Sequence, residues 1–244
     1  MKRLATWGIA LATVSVGAAG CSDNNDPGQR LGFARFEVFA DFEKSYALNE
    51  NPDMLWSGTF IASADSTASD PPAIQKLTQD KLDPVRVNPD GSMSTGALHV
   101  TENGLHSLWG SAWLAYMKPA NKPADLSGFT GISFWARSAT LPAPTVKVAF
   151  PDYGSFPAPG DVTSPFCSEL DTIVGGKGCF DDYAFKIYPD GVWRRYDIPF
   201  SQLTTGGWGL PHDFDPTHIY SLKFAMLQNV KYDIWIDDIV FYAR

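Results

Sequence analysis

The chain has 244 residues and a formal charge of −8, with 21 Gly, 18 Pro and 33 aromatic residues (16 Phe, 9 Tyr, 8 Trp). So many turn-formers argue against a helical bundle, so many aromatics exclude disorder, and the acidity excludes a nucleic-acid binder, which needs a basic face. The length suits one large all-β domain or two small ones, with ample material for a buried core.

Residues 1–20 stand apart from the rest. Lys2 and Arg3 precede an uncharged, mostly apolar run from Leu4 to Gly20. Ala18-Ala19-Gly20 then places small residues before Cys21, as signal-peptide cleavage requires. The run is short and weak for a membrane span. Small-small-Cys resembles a bacterial lipobox, which implies that Cys21 is lipidated and becomes the mature N-terminus. Polar residues with Pro27 and Gly28 make 21–32 a flexible tether. Ser22 after the cysteine resembles lipoproteins sent to the outer membrane. Without residues 1–20 the chain holds 17 Lys and Arg against 27 Asp and Glu, a charge of −10.

From residue 33 the pattern is period-two alternation. Strands are expected over 33–39, 56–61, 97–101, 108–118, 131–137, 146–150, 183–188, 193–198, 220–228 and 232–242. Gly, Pro, Asn or Asp fills nearly every gap. Asp190-Gly191 between two strand-like runs signals a hairpin. The stretch 62–94 is weakly apolar and reads as an exposed excursion, with one or two helical turns over 73–82. About ten strands without an amphipathic helix predict a two-sheet antiparallel β-sandwich or jelly roll spanning 33–244.

Alternation also assigns faces. In 108–118, Leu108, Gly110, Ala112, Leu114 and Tyr116 are expected toward the core, leaving Trp109 and Trp113 on an outer surface. In the last strand, Ile234, Ile236 and Val240 share one face, and Trp235, Ile239 and Phe241 the other. Cys167 and Cys179 remain as an even pair in an exported chain and are expected to form a disulfide.

The order of several motifs resembles the galactose-binding-like jelly rolls, in particular family 11 carbohydrate-binding modules. They are Phe39-Ala40-Asp41-Phe42-Glu43, the run Asp125 to Ala136 containing Gly131-Ile132-Ser133-Phe134-Trp135, the run Trp193 to Leu203, and Tyr232 to Ile239. Taken with Trp109-Gly110, Cys167, Cys179 and Gly207-Trp208-Gly209, the chain is also similar to envelope lipoproteins of myxobacteria and related groups. The resemblance implies a sheet face that binds a polysaccharide or cell-surface glycan without catalysis. Sugar rings present flat C–H faces to aromatic side chains, and polar groups bond their hydroxyls. The expected ligand-binding residues are Trp109, Trp113, Arg137, Asp152, Tyr153, Asp182 and Tyr183. Any one of these tryptophans could instead be core. Relatives also hold structural Ca²⁺ between the first and last strands, which implies Asp41, Glu43 and Asp237 as oxygen ligands.

No Gly-x-Ser-x-Gly elbow, His-Glu-x-x-His or phosphate loop occurs. His99, His106, His212 and His218 have no metal-pair spacing and read as loop or surface residues. Two alternatives to glycan binding stay open. One is an adhesive surface protein with a protein partner. The other is a hydrolase or lyase, since two carboxylates suffice for glycoside cleavage.

Overall fold

The computed structural model describes residues 33–43, 60–64, 75–102, 106–157, 167 and 178–244. The signal segment 1–20, Cys21 and the tether 21–32 lie outside the described residues. Eleven strands occur among those described: β1 Arg35–Ala40, β2 Phe60–Ala64, β3 Gln75–Val87, β4 Met93–Glu102, β5 Ser111–Tyr116, β6 Gly131–Ser138, β7 Val146–Phe150, β8 Tyr183–Ile187, β9 Arg194–Pro199, β10 Ser221–Met226 and β11 Tyr232–Ala243. One sheet runs β3-β4-β11-β6-β9, with β1 also paired to β11, and the other runs β2-β5-β10-β7-β8. Every pairing is antiparallel. The architecture is therefore the expected two-sheet sandwich, with a jelly-roll fold.

The core lies between the sheets. Leu98, Val100, Ile132, Phe134, Ile234 and Ile236 come from the six-stranded sheet, and Phe60, Trp113, Val146, Val148, Leu222 and Phe224 from the five-stranded sheet. Cys167 and Cys179 form the expected disulfide, with Cα atoms 4.9 Å apart.

Four local expectations are corrected. First, 75–87 is a strand, not an exposed excursion with helical turns. Its residues are polar, yet it lies along β4 from Gln75↔Glu102 to Val87↔Met93. It also lends Leu77 to the core. Sheet pairing and one half-buried face override its weak strand propensity. Second, Asp190-Gly191 does not close a hairpin, because β8 and β9 belong to different sheets. The turn carries the chain over the edge of the sandwich.

Third, the faces of β5 are inverted. Trp113, Ala115 and Met117 are core, and Leu114 and Tyr116 are half-buried on the outer side. Trp113 lies opposite Phe224 in register and stacks on it, ring centroids 5.4 Å apart at 8°. Fourth, β11 changes parity midway. A bulge after Asp237 puts Asp238 in the left-handed region, φ 49°. A bulge inserts one unpaired residue, so the inward face moves from Ile234 and Ile236 to Ile239 and Phe241.

Candidate functional site

The β11 bulge builds the first site. Among the described residues, carboxylate oxygens of Glu43, Asp237 and Asp238 lie within 4.8 Å of one another. Asp41 is not one of this group. Its Oδ1 accepts the Glu43 N–H at 3.3 Å. Glu43 is aimed by Thr95, whose N–H and Oγ1 donate to it at 3.1 and 2.9 Å. Its backbone runs close beneath β4: a Cβ on Gly96 would overlap the Phe42 carbonyl oxygen, so only glycine fits there. Arg86 inserts from β3, and its Nη2 reaches Asp237 Oδ2 and Asp238 Oδ2 at 2.6 Å each. Ser94 Oγ donates to Asp237 Oδ2 at 2.5 Å, and Asn88 accepts from Arg86. Asp237, Asp238 and Arg86 are all buried. Three carboxylates, when all are ionised, leave two excess negative charges against one guanidinium. Burial, then the neighbouring Asp238, pushes the Asp237 carboxyl well above the usual range, against the pull of Arg86. The oxygen-only donor set suits a hard divalent cation, which would cancel the excess.

The outer face of the six-stranded sheet carries Arg137. Register sets His99, Trp235 and Arg137 side by side on β4, β11 and β6. His99 stacks on Trp235 at 3.9 Å, and its ring nitrogens contact Asp80 and Asp233 at 2.6 and 2.9 Å. The Arg137 guanidinium lies 4.9 Å from the Trp235 ring and 5.4 Å from the Trp193 ring. Arg86 lies 4.8 Å from Trp135 and 5.5 Å from Trp193. These ring faces are already covered by cations, so the ladder clads the sheet and offers a sugar little stacking surface.

The outer face of the five-stranded sheet is built differently. Its core side takes Val146, Val148, Leu222, Phe224 and Ile187, so the intervening residues point outward. Two rows cross the sheet. One reads Ile61, Leu114, Lys223, Ala149, Ala184, and the next Ser63, Ala112, Ala225, Lys147, Lys186. Four alanines thus leave a low floor between long side chains. Tyr116, one step along β5 from Leu114, meets Phe156 edge-on at 6.5 Å, and Phe156 stacks on Tyr220 at 4.9 Å. Lys223 is ion-paired with Asp182, whose second oxygen, Oδ1, is buried and has no hydrogen-bond partner. Burial holds Lys147 below the usual lysine value. Asp182 opposes that shift and Lys223 adds to it.

The seven residues expected to bind ligand do not converge on one place. Trp109 is 51% exposed beside exposed Leu108 and Leu227. Trp113 is fully buried in the sandwich and presents no ring to a ligand, which corrects the expectation of an outer tryptophan. Arg137 belongs to the opposite sheet. Asp152 is also corrected: it is buried and accepts the Gly154, Ser155 and Asp215 N–H groups and contacts His212 Nε2 at 3.0 Å. It is the knot of a loop. Burial raises its carboxyl, with the Asp215 N–H and His212 pulling the other way. Tyr153 lies half-buried, its ring 5.6 Å from His218. Tyr183 donates its hydroxyl to the His212 carbonyl at 2.6 Å and packs on Phe214. Asp182 alone faces the alanine floor. Of the histidines read as loop or surface residues, His99 instead lies in β4, while His106 and His212 lie outside the strands, the first buried against Glu102 and the second half-buried against Asp152.

Sequence reasoning missed Tyr116, Lys147, Lys186 and Lys223. The signal was present in Val-Lys-Val, Phe-Lys-Ile and Leu-Lys-Phe: each of three strands sets one lysine between two inward apolar residues.

No protein-family model and no curated protein matches this sequence. Among solved structures, the chain is similar to the family 11 carbohydrate-binding module from Clostridium thermocellum in complex with a beta-1,3-1,4-mixed-linked tetrasaccharide. That match has 17% identity, covers 85% of this chain and 95% of that one, and has a TM-score of 0.53. It is similar too to the family 11 module of cellulosomal cellulase Lic26A-Cel5E of the same organism, at 16% identity, 86% and 95% coverage and a TM-score of 0.52. The fold is thus the jelly roll of carbohydrate-binding modules.

Proposed function

We propose that this protein is a non-catalytic glycan-binding lipoprotein of the bacterial cell envelope, tethered through Cys21 and sent to the outer membrane. The observation that carries the glycan reading is the outer face of the five-stranded sheet. Four short alanine side chains, Ala112, Ala149 and Ala184 buried and Ala225 half-buried, lie between Tyr116, Lys147, Lys186 and the Lys223–Asp182 pair, so a sugar laid over them would have hydroxyl partners on either side. The fold shared with carbohydrate-binding modules supports it. Weak sites on many tethered copies would act together through high local concentration. Affinity electrophoresis of the folded, unlipidated domain in polysaccharide gels tests it. Retardation in at least one polysaccharide is expected, and free migration in all of a broad panel would refute it. Cys21→Ser in the full chain should release the protein from membranes.

The same reading gives Glu43, Asp237 and Asp238 a calcium ion that fastens the end of β1 to β11. Calorimetric titration of the EDTA-treated domain with Ca²⁺ should show binding that Glu43→Gln abolishes. A protein partner is the second reading, and its support is the exposed Leu108, Trp109 and Leu227 group beside Gly110.

A further inference from the structure

Three lysines stand together on a strongly acidic protein. Lys147 and Lys186 are direct cross-strand partners on β7 and β8. Lys223, on β10, lies opposite Ala149 and is the diagonal neighbour of Lys147 on the same face. Like charges directly opposite each other on a sheet destabilise it. Among the described residues neither Lys147 nor Lys186 has an ion-pair partner. The nearest acids, Asp182 and Asp181, favour the charged form of Lys147 but are bonded elsewhere. Asp182 is paired with Lys223, and the Asp181 carboxylate accepts the N–H groups of Gly206, Trp208 and Gly209 at 2.6–2.9 Å. Lys147 is also held below its ordinary value, by burial first, with Asp182 pulling back and Lys223 adding to the shift.

Beside the lysines, Asp182 Oδ1 is a buried acceptor with no donor. Such a group calls for a hydroxyl or amide from outside, because leaving it unmet is costly. A ligand meeting both demands is anionic and rich in hydroxyls. From this juxtaposition we infer that the face selects anionic glycans, chains bearing carboxylate or sulfate groups, through Lys147 and Lys186, with Asp182 taking a neighbouring hydroxyl. This rests on the glycan-binding reading and narrows it. Neutral glucans would meet the alanine floor and Tyr116 but leave the two lysines unanswered.

The test uses the folded domain with its disulfide intact. Affinity electrophoresis would be run in polygalacturonate, dextran sulfate, neutral mixed-linkage β-glucan and, as a sugar-free polyanion, polyglutamate. Retardation by polygalacturonate or dextran sulfate at least tenfold stronger than by β-glucan or polyglutamate is expected, and whichever of the two binds names the anionic group. Lys147→Gln with Lys186→Gln should weaken that retardation tenfold or more, with no loss of melting temperature. Added salt should weaken it too. Retardation by β-glucan that survives the double substitution overturns the anion selectivity and leaves glycan binding standing. Equal retardation by polyglutamate also overturns it, showing charge without sugar recognition. No retardation in any polysaccharide overturns both readings together.

Discussion

Replacing Arg86 by methionine isolates what the guanidinium does at the β11 bulge. Methionine keeps most of the side-chain volume and removes the charge. Arg86 contacts Asp237 and Asp238 at 2.6 Å each, and all three side chains are at most 2% exposed. Removing one partner of a buried ion pair costs about 3–5 kcal/mol, because the remaining charge is left uncompensated. Here two aspartates and Glu43 remain within 4.8 Å of one another. In a domain this size each kcal/mol lowers the melting temperature by about 2–4 °C, so a fall of roughly 6–20 °C is expected. Differential scanning calorimetry in EDTA measures it. Two further readouts separate charge from packing. The Asp237 carboxyl is raised in the fold from its ordinary 3.8, so the folded chain holds a proton that the unfolded chain has lost. Stability from this group therefore falls as pH rises from about 3.8 toward the folded value. Removing Arg86 raises that value further, so the variant should lose less below the parent's folded value than above it. Calcium, if held by the three carboxylates, should restore the variant more than it stabilises the parent, since it no longer competes with the guanidinium. A ligand at a hundred times its Kd contributes about 2.7 kcal/mol. A melting temperature within about 2 °C of the parent, in EDTA at pH 8, would refute the reasoning.

Trp113→Ala should cost about 3–5 kcal/mol in urea unfolding, the range for emptying a large buried aromatic site, and an outward-facing tryptophan would show almost none of it. Cys167→Ser with Cys179→Ser, in the domain lacking Cys21, should lose about 3 kcal/mol, since the bond spans 12 residues of sequence. An unchanged urea midpoint would count against that. Gly110→Ala should destabilise by more than 1 kcal/mol. Its φ of +96° suits glycine, and a Cβ would overlap the Met226 carbonyl oxygen. Trp109→Ala, at an exposed ring, should leave the urea midpoint within about 0.5 kcal/mol of the parent.

The strand content was legible because alternation is a local property, and most of the strands have apolar residues at every second position. Two failures share one cause. β3 is polar, so its sequence carries little trace of the pairing with β4 that makes it a strand. Asp190-Gly191 carries the chemistry of a tight turn, but that chemistry does not say whether the next strand pairs with the last or crosses to the other sheet. Neighbours in space decide both, and they lie far away in sequence. The disulfide was readable for the opposite reason: once Cys21 is assigned to lipid, only two thiols remain to pair.

Faces were the harder question. Period-two alternation separates two sides of a strand but does not label them. In β5 one side offers Ala112, Leu114 and Tyr116, the other Trp113, Ala115 and Met117, and both are apolar enough to be core. The label comes from what stands opposite: Phe224 on β10 and Tyr232 on β11 close around Trp113, its ring 5.4 and 5.8 Å from theirs. In β11 the sequence Asp237-Asp238 hides a bulge that reverses parity for the rest of the strand. That same bulge brings two consecutive carboxylates to one guanidinium, an arrangement that strict alternation forbids. The lysines invert the lesson. Lys147, Lys186 and Lys223 each sit between core-facing residues of their strands, so their outward direction follows from sequence alone. Only the β10-β7-β8 order makes them neighbours, and that order is the one fact about the site that no single strand contains.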